Sequence, residues 1–459
     1  MINESITELI DYAFKNNLIE EEDRNYSINR ILNIVGENSY QKKEYVPHKN
    51  IEEILSPIID TAVKNKKIEN DTTICRDIIS AEIMDVFMPK PSEFIKKFYK
   101  KYEISPKTAT EWFYSVSKSN NYIMTERLKK NIVWKTKTKK YGDIDLTINL
   151  SKPEKSQKDI ENAVKAVSTG YPLCALCVEN VGYEGDVSHA PRANHRVVPV
   201  DLDGEKWYLQ YSPYGYYNEH CILINENHVP MRITSQTFGR LLAFVEKFPH
   251  YFMGSNAGLP IVGGSILAHD HYQGGNYEIP MAKANPRMDI EFPGYSDIKA
   301  CIVDWPLSVI RISGSDRFRL KELASKILDA WEGYSDEEND IIAFTDKPHN
   351  AITPIARIKD GKFELDLILR NNRTSEEYPN GIFSIHDENR HIKSENIGLI
   401  EAMGLAVLPA RLVKEHDVSD GNKREEIGNI FLEILDNCGV FKNNEKGNNG
   451  IIKFVNSIK

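Results

Sequence analysis

The sequence predicts an α+β protein in which a helical N-terminal region precedes two strand-rich segments of similar order. Three observations carry this. Apolar residues keep helical spacing up to about residue 130. From about residue 141 the texture changes to short alternating or apolar runs punctuated by glycine turns. An order of strand, hairpin, glycine-rich loop and histidine pair met in mid-chain recurs near its end, which suggests duplication of one unit. At 459 residues the chain exceeds what one core organises, so domains are expected over 1–135, 136–300 and 301–459.

In the first region Ile6, Leu9, Ile10 and Ala13 share a helical face, and Ser27 opens a second helix that Gly36 closes. Ile51 to Val63 and the aromatic-rich stretch Phe94 to Tyr114 read as helical too. No catalytic constellation stands here, and a docking or substrate-shaping module is the default. Six lysines lie between Lys129 and Lys140, ahead of the alternating strand Asp143 to Leu150. Charge on an edge strand opposes edge-to-edge pairing, which we favour over a phosphate contact.

Val197 to Val200 and Trp207 to Tyr211 form a hairpin across Asp203-Gly204. Cys221 to Ile224 is a short buried strand, and Ser235 to Phe248 is a helix burying Leu241, Leu242 and Val245. A glycine-rich run, Gly254 to Gly264, then leads into His269-Asp270-His271-Tyr272-Gln273. Later, Ile341 to Phe344 reads as a strand. Ala351 to Ile358 joins Phe363 to Leu369 across Asp360-Gly361, ahead of His386 and His391.

Composition excludes several classes. A net charge of -9 argues against a general nucleic-acid binder, which needs basic faces. No apolar run approaches the roughly 20 residues of a membrane span, and the polar, acidic start lacks the regions of a signal peptide. Of six cysteines, Cys75, Cys221, Cys301 and Cys438 are scattered, so no disulfide framework is expected. A cytoplasmic location fits best.

The chemistry concentrates in two motifs. In the histidine pentapeptide, strand alternation puts His269, His271 and Gln273 on one face and Asp270 and Tyr272 on the other. A neutral imidazole is nucleophilic near pH 7 and can carry a phosphoryl group, although such a pair also occurs as metal ligands. Cys174-Ala175-Leu176-Cys177 has the spacing of half a zinc site. Two histidines must complete it, with His220 and His269 as candidates; a redox pair and simple packing are the alternatives. His189, His195 and His228 could be ligands, but as loop histidines they are read first as local hydrogen-bond partners; Arg370 and Arg373 are read as a phosphate fork or an ordinary charged loop.

Taken together, C-x-x-C, the segment Ser212 to His220, the run Asn256 to Ser265 and H-D-H-x-Q resemble the galactose-1-phosphate uridylyltransferase family of the histidine-triad superfamily. The blocks His349 to Pro354, Leu369 to Thr374 and His391 to Glu401 are similar to its second, mainly bacterial type. Asp270 and Tyr272 stand where the first type has proline and glycine. The resemblance implies duplicated half-barrel antiparallel sheets with flanking helices. It implies ping-pong transfer of UMP from UDP-glucose to galactose 1-phosphate through a uridylyl-histidine. His271 would be the nucleophile and Gln273 the group that bonds the intermediate. Asn256, Gly264 and Ser265 would meet the phosphates, and Lys393 and Glu401 the hexose phosphate. A structural zinc would sit on Cys174, Cys177, His220 and His269, and a homodimer is expected. The alternatives are another nucleotidyltransferase, phosphorylase or hydrolase of the superfamily, a zinc hydrolase, and a zinc-stabilised nucleotide-binding protein.

Overall fold

The computed structural model describes residues 2–68, 70–151, 170–186, 188–264 and 266–458. The chain divides into two compact units: residues 1–130, 151–200 and 208–215 form one, and residues 131–150, 201–207 and 216–459 the other.

The first unit opens with the helices α1 (Ile2–Lys15), α2 (Arg24–Val35), α3 (Ile51–Lys64), α4 (Thr73–Asp85), α5 (Pro91–Tyr102), α6 (Pro106–Ser119) and α7 (Thr125–Leu128). Ile6, Leu9, Ile10 and Ala13 are buried as their spacing requires, against Ile31, Val35, Ile58 and Ile83. Helix α2 starts at Arg24, not at Ser27, because a short 3-10 turn capped by Glu20 and Asp23 feeds it. Ser27 is buried inside the helix. The stretch Phe94 to Tyr114 is two helices rather than one. Pro106 cannot continue α5, and the Ser105 hydroxyl accepts the Thr108 N–H to start α6.

The strands are β1 (Ile132–Lys137), β2 (Asp143–Ile148), β3 (Val198–Leu202), β4 (Glu205–Tyr211), β5 (Cys221–Asn225), β6 (Phe252–Gly254), β7 (His271–Gly275), β8 (Pro286–Ile290), β9 (Lys299–Val303), β10 (Val309–Gly314), β11 (Asn350–Lys359), β12 (Lys362–Asn371) and β13 (Leu405–Leu408). The helices of the second unit are α8 (Ser235–Lys247), α9 (Arg317–Glu332), α10 (Leu399–Ala402), α11 (Leu412–Glu415), α12 (Gly421–Asn437) and α13 (Glu445–Ser457). The fold is α+β. One sheet runs β3-β4-β5-β7-β6-β11-β12-β10-β9-β8, and a small one runs β1-β2-β13. Registers from β5 to β8 are antiparallel throughout. Strand β1, which carries two of the six lysines, is an edge of the small sheet, with Val133, Lys135 and Lys137 exposed.

The β11–β12 hairpin turns at Asp360 (φ 51°) and Gly361 (φ 73°), the left-handed pair that a two-residue turn of this twist demands. Ile341 to Phe344 does not become a strand. It makes only isolated bridges, Asp336 to Ile341 and Phe344 to Pro348, in a loop that reverses at Asp340 (φ 60°).

A charged network lies inside the large sheet. Asp366, fully buried, takes Arg311 Nε at 2.6 Å and Arg357 Nη1 at 2.8 Å, and Glu364 pairs with Arg357. Arg311 also donates to the carbonyls of Met281 (2.9 Å) and Ala284 (3.2 Å), tying that turn to β10. Burial pushes the Asp366 carboxyl up, but the two guanidinium charges outweigh it and hold it below the ordinary range. No helix among the described residues is long and apolar enough to cross a membrane.

Candidate active site

Strand β7 begins at His271 and lies between β5 and β6, with Ile224 opposite His271 and with Ile222 and Gly254 opposite Gln273. His271 is 5% exposed. Its Nδ1 lies 2.8 Å from the carbonyl oxygen of His269. A carbonyl only accepts, so Nδ1 carries the hydrogen and Nε2 keeps its lone pair. Among the described residues Nε2 has no hydrogen-bond partner. Burial holds this ring down to about 4, against the bond from the His269 carbonyl, so the imidazole is neutral at physiological pH. A neutral ring with an unshared Nε2 pair is the form that attacks phosphorus.

Asp270 and Tyr272 face the other way, as alternation requires. Arg240 Nη1 stands 3.7 Å from Asp270 Oδ2 and donates to the Tyr272 hydroxyl at 3.2 Å. Trp207 stacks on Tyr272 with 4.6 Å between ring centroids. Burial pushes the Asp270 carboxyl up to about 6, with Arg240 and His269 opposing.

The glycine-rich loop brings Asn256 and Gly264 together. A Cβ on Gly264 would sit 2.6 Å from Asn256 Nδ2, so only glycine lets the loop close over that amide. Asn256 Oδ1 accepts the Leu399 N–H at 2.9 Å, and Glu401 Oε2 accepts the Gly398 N–H at 3.2 Å. Glu401 Oε1 is 3.1 Å from Lys393 Nζ, which also donates to the Val407 carbonyl at 3.0 Å. Asn256, Gly264, Glu401 and Lys393 are thus linked contact by contact. Lys393 is buried, not solvent-facing. Ser265 lies outside the described residues. Arg370 is also buried; Nη2 donates to the Ile397 carbonyl at 2.9 Å, whereas Arg373 bonds the Asp340 carbonyl.

Cys174 Sγ and Cys177 Sγ are 3.6 Å apart. Tetrahedral zinc with bonds of about 2.3 Å spaces two sulfurs by about 3.8 Å, so the pair fits. Without a cation, burial pushes the Cys177 thiol up to about 11. The ligand atoms of Cys174, Cys177, His228 and His269 all lie within 4.8 Å of one another, a set compatible with a structural metal. His269 Nε2 donates to the Asn225 carbonyl at 3.0 Å, which leaves Nδ1 as that ring's electron-pair donor.

His220, expected in this set, is not in it; His228 is. The cause is strand register. In the antiparallel pairing Cys221 faces Gly274 and Ile224 faces His271, so the chain leaving β5 runs toward His269 and the chain entering it runs away. His220 instead places Nε2 3.1 Å from Gln273 Oε1. His228, which the sequence leaves open as a ligand while favouring a local hydrogen bond, is the histidine that the same register brings toward His269. The other loop histidines do bond locally: His189 to Asn180, His195 to Gln210 and His386 to the Ile382 carbonyl.

Comparison with known proteins shows the family. The family model for the N-terminal domain of galactose-1-phosphate uridyl transferase matches residues 17–230, and the model for its C-terminal domain matches residues 244–429. The galactose-1-phosphate uridylyltransferase of Clostridium perfringens (strain 13 / Type A) is 48% identical, over 100% of this chain and 99% of the relative. That of Clostridium acetobutylicum is 46% identical over 99% and 100%, and that of Bacillus subtilis (strain 168) 42% over 100% and 98%. The chain is an enzyme of the galactose-1-phosphate uridylyltransferase family.

Proposed function

We propose that this protein transfers UMP from UDP-glucose to galactose 1-phosphate through a covalent adduct on His271. Nε2 of His271 attacks the α-phosphorus, a P–N bond forms, and the P–O bond to glucose 1-phosphate breaks. A phosphate oxygen of galactose 1-phosphate then attacks the same phosphorus, the P–N bond breaks and the imidazole returns neutral. The observation that supports this is the 2.8 Å bond from His271 Nδ1 to the His269 carbonyl, which leaves the lone pair on Nε2. The Gln273 amide would donate to a non-bridging oxygen of the adduct without protonating a leaving group. Asn256, Gly264 and Ser265 would meet the phosphates, and the buried Lys393–Glu401 pair the hexose phosphate. A homodimer is part of the proposal and is checked by light scattering.

Incubation with labelled UDP-glucose is expected to yield an acid-labile, base-stable UMP adduct with release of glucose 1-phosphate. His271→Gly is expected to abolish both, and an adduct persisting in that variant would overturn the assignment. UDP-galactose should form on adding galactose 1-phosphate.

Zinc is the metal proposed for Cys174, Cys177, His228 and His269. With four protein donors it has no open position and would serve to hold the segment that aims His271. The expected zinc content is one per chain, lost in His228→Ala and retained in His220→Ala. The opposite result would restore the sequence-based ligand set.

A further inference from the structure

Two observations that the proposed reaction does not use converge on Gln273. The first is the contact itself. His220 Nε2 and Gln273 Oε1 are 3.1 Å apart across the β5–β7 pair. An amide oxygen only accepts, so the imidazole donates from Nε2, and the Gln273 NH2 is left as the outward end of the amide. The second is how firmly the ring is held. His220 is buried, flanked by Tyr217 at 4.5 Å and Tyr216 at 5.5 Å between centroids. It follows Glu219, which takes a left-handed backbone (φ 53°) unusual for a non-glycine residue. Glu219 is itself buried and accepts from the Tyr251 hydroxyl. Nδ1 of His220 is buried with no hydrogen-bond partner, so among the described residues the only polar bond its side chain makes is the one to Gln273.

An amide has two nearly isosteric ends, and only one of them suits a phosphoryl oxygen. If Gln273 turned over, its carbonyl would face the negatively charged adduct. We infer that His220 is a positioning residue for the uridylyl transfer, which fixes the Gln273 amide with its NH2 toward the phosphoryl group. This rests on the proposed role of Gln273 in the reaction above. Burial holds the His220 ring down to about 4, in keeping with a neutral donor that does not titrate during turnover.

The test uses pre-steady-state release of glucose 1-phosphate from UDP-glucose. His220→Phe keeps a ring between the tyrosines and removes the donor; His220→Gln returns an N–H close to Nε2. His220→Phe is expected to slow adduct formation about tenfold, the scale of one lost hydrogen bond, while shifting the UDP-glucose concentration dependence less than about threefold. His220→Gln is expected to recover most of the rate. In a Gln273→Ala background, His220→Phe is expected to change the rate less than about twofold, because the group it positions is gone. An undiminished rate in His220→Phe, no recovery in His220→Gln, or an equal loss in the Gln273→Ala background would each overturn the role. If His220→Phe does not fold, the comparison of His220→Gln with His220→Asn, which cannot reach as far, decides in its place. Failure of the reaction proposal looks different: the unsubstituted enzyme would form no adduct at all.

Discussion

At the scale of single residues, the proposed nucleophile His271 owes its tautomer to its neighbour's backbone. His269 supplies a carbonyl rather than a charge, so His271 is held in one tautomer without being made cationic. A carboxylate in that place would raise the ring's basicity and favour the protonated form. The glycine at 264 works by absence. Gly264→Ala would force Asn256 off the Leu399 N–H that its amide oxygen now accepts. Loss of one such bond corresponds to about a tenfold fall in kcat/KM for UDP-glucose, with the melting temperature changed by only a few degrees. Unchanged kinetics in that variant would show that the loop does not depend on Asn256.

At the scale of elements, short strands set the site and long ones carry it. Strand β6 pairs with β11 through Ile355 and Ala356, while the β11–β12 hairpin stays in register along its full length. The Arg311–Asp366–Arg357 network braces that hairpin from within. Asp366→Asn would leave two buried guanidinium groups poorly compensated and is expected to cost about 3–5 kcal/mol of unfolding free energy in a urea titration. A loss below about 1 kcal/mol would mean that water already solvates the network. Hairpins were the most legible elements, because Asp203-Gly204 and Asp360-Gly361 announce their turns locally. Strand Ile341 to Phe344 was misread because a four-residue apolar run says nothing about a partner, and none lies alongside it beyond single bridges. The four-residue cluster holds His228 where the sequence pointed to His220, for a related reason. His220 and His228 flank the same strand, and choosing between them needs the β5–β7 register, a long-range fact. The charged network within the sheet left no trace at all, since alternating Arg, Glu and Asp read locally as a solvated face.

At the scale of the whole molecule, acid should weaken the fold. Burial holds His195 down to about 3 and His220 to about 4, against an ordinary value of 6.5. Their contribution is fully present above about pH 6.5, where both folded and unfolded rings are neutral. As pH falls the unfolded chain takes up protons first, so stability drops progressively from about pH 6.5 toward pH 4. Melting temperatures across that range should fall in the wild type and less steeply in His195→Gln; parallel curves would remove His195 from the account.

His269 faces two ways: its carbonyl holds the His271 ring, and its own ring belongs to the Cys174–Cys177–His228 set. Oxidising that cysteine pair to a disulfide would strip the proposed zinc and loosen the one residue that dictates where His271 keeps its proton. Peroxide damage to the thiols would then read out as lost transfer in the proposed reaction, making them a point of vulnerability for a chemistry that never uses sulfur.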